Sequence, residues 1–379
     1  MTRPTVARVS LGAIQHNLRA VRAMVADPRA ALRAGARPPD VLAVVKANAY
    51  GHGATTVGLA LEAAGASMLA CADIEEGVAM RDAGVAAPIL VFGALSVSDL
   101  GGVFSRRLTP TVSTPGAARA LEQGASARGV RLGCHLKIDT GMNRLGFRHD
   151  NLARTLSPVL ASPHLRCEAV YTHFATADDP ESGVLDEQRA RFDRAMAALG
   201  AMGLGPVRHH AANSAALLRD ARTWYDWVRP GLLLYGIVPP PLSAADLDLR
   251  PALSLSSRIV AVKGLRPGEG TGYGLHWQLD EPRTIAIVPA GYADGLDTRL
   301  AGRGAALVRG RRRAIVGSVC MDMIMIDVTG TDVSPGDEVV LIGEQDGEAI
   351  TAREIAATIG TMPWEVLCRL GGRIEREYT

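Results

Sequence analysis

The chain has 379 residues, 47% of them hydrophobic, with 41 basic against 39 acidic side chains and a formal net charge of +2. That length exceeds one ordinary domain, and that apolar content supports a sizeable buried core and excludes a disordered chain. The near balance of charge gives no long-range field to draw in nucleic acid or an anionic membrane, so neither is an expected partner.

The five cysteines, Cys71, Cys134, Cys167, Cys320 and Cys368, are scattered and form no C-x-x-C pair. A disulfide framework or zinc site is disfavoured, and a reducing compartment fits best. The opening MTRPTVARVSLGAIQHNLRAV lacks the continuous apolar core of an export signal, and no uncharged stretch reaches the length of a membrane span. A soluble, cytoplasmic protein is expected.

In chain order, a helical stretch over 11–26 precedes short apolar runs at 41–45, 67–72, 88–92, 108–112, 132–138, 167–172, 207–211 and 228–234. Between them lie Ala-, Arg- and Leu-rich stretches with helical spacing at 55–64, 74–83, 115–128, 151–160 and 185–202. Continuously apolar strands alternating with helices predict a parallel sheet buried on both faces. Eight such units in about 230 residues match a (β/α)8 TIM barrel, with an open doubly wound sheet as the competing layout. After a Val-Pro-Pro-Pro run at Val238–Pro241 the texture changes to β-branched runs and turn signals: 258–262, 284–289, 305–308, 314–319, 323–328 and 338–342, with one helix over 352–359. The expectation is an α/β chain: a barrel over 1–240, whose first ten or so residues are free to join the second domain, then a mostly antiparallel β domain over 241–379. The basic run Arg309, Arg311, Arg312 and Arg313 around Gly310 reads as a solvated hairpin tip.

In a barrel, chemistry gathers where strands end. The first apolar run ends in Lys46, followed by Ala47-Asn48-Ala49-Tyr50-Gly51-His52-Gly53. One such lysine is ordinarily a snorkelling side chain. An interior amine is also what Schiff-base chemistry with an aldehyde requires, and the glycines would let backbone amides approach an anion. The fifth run ends in Lys137-Ile138-Asp139-Thr140-Gly141-Met142-Asn143-Arg144, the sixth in Tyr171-Thr172-His173, the seventh in His209-His210-Ala211-Ala212-Asn213-Ser214, the eighth in Val228-Arg229-Pro230-Gly231-Leu232. Each residue has a bland role: His173 packed in the core, Asn213 or Ser214 capping a helix, Arg229 in a surface ion pair. His173, His209 and His210 could suggest zinc, but cysteines and carboxylates at matching strand ends are lacking. Convergence of a lysine, two arginines, a histidine and a capping pair on one face suggests a cradle for a small anionic cofactor.

Ala43-Val44-Val45-Lys46-Ala47-Asn48-Ala49-Tyr50-Gly51-His52-Gly53 strongly resembles the alanine racemases, a fold-type III pyridoxal-phosphate family. The similarity continues through the segments around Lys137, His173, Ser214 and Arg229, then through Gly272-Tyr273-Gly274, Gly291-Tyr292-Ala293-Asp294-Gly295 and Cys320-Met321-Asp322-Met323. The resemblance implies interconversion of L- and D-alanine, for peptidoglycan supply or alanine breakdown, with pyridoxal 5′-phosphate held covalently by Lys46. It implies that Tyr50, Ser214, Gly231 and Leu232 bind the phosphate, beside Asn213, with Ser214 at a helix start that favours an anion. Arg229 would face the pyridine nitrogen and His173 would link Arg229 to Tyr273. Arg144, Met321, Asp322 and Tyr292 would serve the substrate, and a carbamylated Lys137 would orient Arg144. Lys46 and Tyr273 would be the two bases, Tyr273 arriving from the partner of a homodimer with shared sites. Trp364 stands where the family usually has a phosphate-contacting tyrosine; an indole donates but cannot accept. A non-catalytic barrel of the same type, another enzyme of the fold type such as a decarboxylase or a serine racemase, and a dead dimer module are the rival readings.

Overall fold

The computed structural model describes residues 3–27, 38–93, 95 and 99–379. By its internal contacts the chain divides into two compact units: Ile14–Ala49 with Ala54–Arg250, and Met1–Ala13 with Tyr50–Gly53 and Pro251–Thr379. Among the described residues no helix is long and apolar enough to cross a membrane.

The first unit is a closed barrel of eight parallel strands. They are Asp40–Val44, Met68–Cys71, Ile89–Val91, Thr109–Val112, Leu132–Asp139, Leu165–Tyr171, Arg208–His210 and Trp227–Val228. Each pairs with the next, and the eighth closes on the first with Trp227 opposite Asp40 and Val228 opposite Val41. Burial on both faces explains the continuous apolar runs. Local chemistry starts the helices between strands. Asp73 Oδ1 accepts from Glu76 N at 2.9 Å ahead of Ile74–Asp82, and Thr114 caps Pro115–Ser126 with proline in its first turn. Helix Leu11–Ala26, which precedes the first strand, is tied in by Asn17, whose amide donates to the carbonyls of Leu234 and Arg250 at 3.0 and 2.8 Å.

The eighth strand is shorter than the apolar run at 228–234 predicts. Pro230 cannot donate to a ladder, and after Gly231 the run becomes a 3₁₀ turn, Leu232–Tyr235, pinned by the Tyr235 hydroxyl on the Val44 carbonyl at 3.0 Å.

The second unit is a ten-stranded sheet. Its path runs Ala261–Leu265, Arg283–Val288, Ile324–Asp327, Arg311–Val316, Ala305–Val308, Glu338–Gln345, Leu253–Arg258, Val6–Val9, Glu375–Tyr378, with Glu348–Ile350 branching from Glu338–Gln345. All pairs are antiparallel except Val6–Val9 with Glu375–Tyr378. The single strand predicted over 258–262 is two strands. At Ile259 and Val260 the chain changes partner, their amides donating to Asp337 and Ile287 carbonyls at 2.9 Å each. Arg309 and Gly310, at φ 50° and 65°, make the tight turn of a hairpin, as expected for that basic tip. Arg312 belongs to the following strand, where it pairs with Glu348 and Glu354. A two-stranded ribbon, Gly270–Thr271 with Trp277–Gln278, carries Tyr273 in its connecting turn.

Asp294 anchors this unit. Its carboxylate is fully buried, accepts from Arg3 at 2.5 and 2.7 Å and from Gly291 N at 2.9 Å, and pairs with Arg373 at 3.1 Å. Without it the Gly291 amide and the partly exposed Arg3 lose a charged acceptor, and a lost hydrogen bond to a charged group costs about 1.5–3 kcal/mol. Asp294→Ala is therefore expected to lower the urea midpoint of the full chain markedly. An unchanged midpoint would mean the two arginines find water at no cost.

Candidate active site

The first barrel strand delivers Lys46 to the C-terminal mouth, and the backbone then does something the sequence did not disclose. Ala47, Asn48, Ala49 and Tyr50 all lie in the left-handed region, at φ 52–54°. Left-handed geometry costs about 1–2 kcal/mol for each L-residue. Hydrogen bonds to side chains hold part of the turn: Asn48 Oδ1 accepts from Ala54 N at 2.8 Å, and Glu76 accepts from Asn48 N at 3.1 Å and Ala72 N at 2.8 Å. Strain of this kind persists where surrounding structure over-determines it, commonly beside functional groups.

The glycines that follow leave room for a close approach of another segment. A Cβ on Gly51 would collide with the Leu367 carbonyl, and one on Gly53 with the Tyr378 hydroxyl. They admit the C-terminal segment of the chain. Tyr50 is half-buried, and burial, followed by the nearby Cys368, pushes its phenol above the ordinary range.

Around the mouth the remaining strand ends add mostly positive charge. Lys137, on the fifth strand, is 6% exposed, its ammonium 5.7 Å from the centre of the Tyr171 ring. Burial, then Arg144, then Arg229 lower its pKa to about 8, with Asp139 opposing and Lys46 adding to the shift. Asp139 otherwise organises the loop that carries Arg144, accepting from Gly141 N and Asn143 N at 3.0 Å each. Arg144 itself is exposed. His173 is held neutral, its pKa pushed well down by burial and then by Arg229, Lys137, Lys46 and Arg144.

Arg229 is 3% exposed and forms no ion pair among the described residues. Its neighbours are neutral acceptors. Nη2 donates to the carbonyls of Thr172 and Ala211 at 2.9 and 2.8 Å and meets His173 Nδ1 at 3.2 Å; Nη1 meets His210 Nδ1 at 3.0 Å. Burial lowers its pKa to about 10, so it stays charged at neutral pH. At the start of helix Ser214–Arg219, Ser214 Oγ accepts from Gly231 N at 3.0 Å, bringing the two together beside Leu232. Asn213 spends its carbonyl oxygen on the helix, accepting from Ala216 N at 2.9 Å, which leaves its amide hydrogens for a ligand.

Residues that sequence reasoning passed over hold this face in place. Gln188, fully buried on helix Val184–Ala201, donates to the His173 carbonyl at 3.1 Å and Thr140 Oγ1 at 3.2 Å, and accepts from Ala175 N at 2.8 Å. Thr140 and Thr172 hydroxyls meet at 2.7 Å. The one signal for Gln188 was an uncharged polar residue within a buried helical stripe. Of the two adjacent histidines, His210 is fully buried in the barrel, whereas half-buried His209 packs edge-on to Phe192 and Tyr225.

In the β unit, backbone hydrogen bonds gather the other expected residues. Ser318 Oγ donates to the Tyr273 carbonyl at 2.6 Å, Tyr292 N to Cys320 O at 2.9 Å, and Ala293 N to Met321 O at 3.0 Å. Asp322 pairs with Arg373 at 2.7 Å, and Trp364 lies half-buried in helix Pro363–Cys368. Tyr273 is 78% exposed, Met321 50% and Tyr292 44%, an unusual display of large apolar side chains.

Comparisons with known proteins cover this whole arrangement. A family model for the alanine racemase N-terminal domain matches residues 9–239, and one for the alanine racemase C-terminal domain matches residues 252–378. An alanine racemase of Carboxydothermus hydrogenoformans is 40% identical over 99% of this chain and 100% of its own length. The crystal structure of alanine racemase from D-cycloserine-producing Streptomyces lavendulae superposes with a TM-score of 0.92 at 33% identity, covering 100% of this chain and 98% of that one. The crystal structure of alanine racemase from Bartonella henselae with covalently bound pyridoxal phosphate gives a TM-score of 0.85 at 26% identity, with 99% of each chain covered. Similarity of that extent, running through barrel and β sheet alike, places the chain in the alanine racemase family.

Proposed function

We propose that the chain interconverts L- and D-alanine with pyridoxal 5′-phosphate as cofactor. The observation that carries this reading is the gathering of cations at the barrel mouth: Lys46, Lys137, Arg144 and Arg229 all bear on His173, and buried Arg229 is held by carbonyls and imidazoles. Such a donor set suits a ligand that brings its own negative charge. Ser214 and the Gly231 and Leu232 backbone would hold the phosphate, with Tyr50, Asn213 and Trp364 beside it. Arg229 would meet the pyridine nitrogen, and as a cation that does not give up its proton it leaves that nitrogen unprotonated. Once bound, pyridoxal phosphate supplies the electron withdrawal that makes the α-proton of an amino acid removable.

Racemisation then needs one proton taken from one face and another delivered to the opposite face. Lys46 would exchange the proton of D-alanine and Tyr273 that of L-alanine. His173 would hydrogen-bond Tyr273, while Arg144, the Met321 backbone, Asp322 and Tyr292 receive the substrate. Borohydride treatment of the loaded protein should fix the cofactor to Lys46, and Lys46→Ala should lose colour and racemase activity together. Cofactor fixed to any other lysine would end the assignment.

Lys137 fits a carbamate. An amine adds to CO₂ only when neutral, releasing one proton as the N–C bond forms. With the pKa lowered to about 8, the neutral fraction grows as pH rises through that value. A carbamate there would also put a negative charge beside Arg144. In ¹³C-bicarbonate the carbamate resonance should strengthen between about pH 7 and pH 9 and vanish in Lys137→Ala; no resonance at the upper pH would exclude the modification.

The exposure of Tyr273, Met321 and Tyr292 supports a homodimer in which each β unit completes its partner's barrel mouth. Five free cysteines accord with a reducing cytoplasm. Mixing Lys46→Ala with Tyr273→Ala subunits should restore about one quarter of parental activity, because random exchange makes about half the dimers mixed and each of those has one intact site. Proven exchange without recovery would place both bases on one chain.

A further inference from the structure

Inside the barrel, a file of side chains leads away from Arg229 that the reaction as described leaves unused. Arg229 Nη1 meets Nδ1 of His210 at 3.0 Å, and His210 Nε2 meets Nδ1 of His135 at 3.0 Å. His210 stacks on Tyr171 with ring centres 4.6 Å apart, and His135 stacks on Trp227 at 5.6 Å.

The protons of this file can be arranged in only one way. A guanidinium donates and never accepts, so Nδ1 of His210 must be the acceptor. A neutral His210 then carries its proton on Nε2 and donates it to Nδ1 of His135. His135 must in turn carry its proton on Nε2, an atom with no hydrogen-bond partner among the described residues. The indole Nε1 of Trp227, on the ring stacked against it, has none either. A charged His210 would turn an N–H toward the guanidinium and break the file. Burial and the charge of Arg229 keep both rings neutral, His135 with its pKa lowered to about 3 and His210 well below its ordinary value.

The arrangement places polar rings where barrel interiors ordinarily carry branched aliphatic side chains. The strand itself is irregular at this point. Cys134 pairs with Cys167 but His135 with Ala169, a bulge that skips Glu168, and bulges beside active sites re-aim side chains.

We infer that His135 is a positioning residue for the racemase reaction: Arg229 sets the tautomer of His210, and His135, by accepting from its Nε2, holds that ring in place and through it the setting of Arg229. The catalytic half of this inference rests on the cofactor site proposed above; the tautomer half stands on the polypeptide alone. Each bond in such a file polarises the next, so the acceptor strength that Arg229 feels at His210 depends on His135.

The test is ¹⁵N-histidine NMR on the cofactor-free full-length chain, followed by His135→Gln and His135→Phe. Two buried histidines should show Nδ1 unprotonated and Nε2 protonated, with shifts constant from about pH 5 to pH 9. A glutamine carbonyl can accept from His210 Nε2, so that variant should keep this hydrogen bond and most activity. Phenylalanine cannot; the His210 Nε2–H should move to the shift of an unbonded proton while its tautomer stays, the cofactor absorbance should shift, and kcat should fall about tenfold, with KM little changed. Protonation of His210 at Nδ1, or its titration in that range, overturns the inference. So do equal kcat and equal spectra in folded Gln and Phe variants. If the chain takes up no pyridoxal phosphate, the proposed function fails while the NMR result still decides the tautomers.

Discussion

A guanidinium buried without a carboxylate is the constraint on which the barrel mouth depends. Taking Arg229 out of water is costly, and ion pairing is the ordinary remedy. Here the charge is met by lone pairs, two from carbonyls and two from imidazoles, and by the Tyr171 ring, whose centre lies 5.4 Å from the guanidinium carbon. Each carbonyl belongs to a residue just past a strand end, Thr172 after the sixth and Ala211 after the seventh, so three strand ends are bound to one side chain. A carboxylate in the same place would neutralise the arginine and weaken the positive field at the mouth. Leaving it out keeps that field for a ligand.

The same logic explains why the surrounding histidines are neutral. Placed near an uncompensated cation and away from water, His173 and His210 are kept from taking up protons. They therefore serve as acceptors and relays of hydrogen bonds, without adding a charge of their own. Lys137 responds to the same field, with Asp139 opposing the shift.

How much of this was legible depended on whether the signal was local. The eight apolar runs announced a parallel sheet because strands covered on both faces need no alternation. The overlong eighth run was misleading because three leucines in a row look alike in a strand and in a 3₁₀ turn; Pro230 and Gly231 held the information. The strand at 375–378 went unread since its residues, Glu375, Arg376, Glu377 and Tyr378, are mostly charged and its pairing comes from the far N-terminal end. Lys46, Arg144 and Arg229 could be picked out by position and by resemblance. His135 could not: two residues before Lys137 it looked like any core histidine, and its role comes from contacts with the seventh and eighth strands. The left-handed turn after Lys46 was equally hidden, since three of its four residues carry no preference for that conformation.

The β sheet closes on strands from opposite extremes of the polypeptide. Val6–Val9 lies between Leu253–Arg258 and Glu375–Tyr378. On the ribosome, residues 14–250 can assemble their barrel while the sheet still lacks most of its strands. Strand Val6–Val9 must then wait for one neighbour until residue 258 has emerged, and for the other until residue 378 has. During that interval it presents two unpaired edges, the condition under which strands find wrong partners. Its sequence answers the hazard: Val-Ala-Arg-Val is four residues long with a charge in the middle, too short and too polar to template a rival sheet.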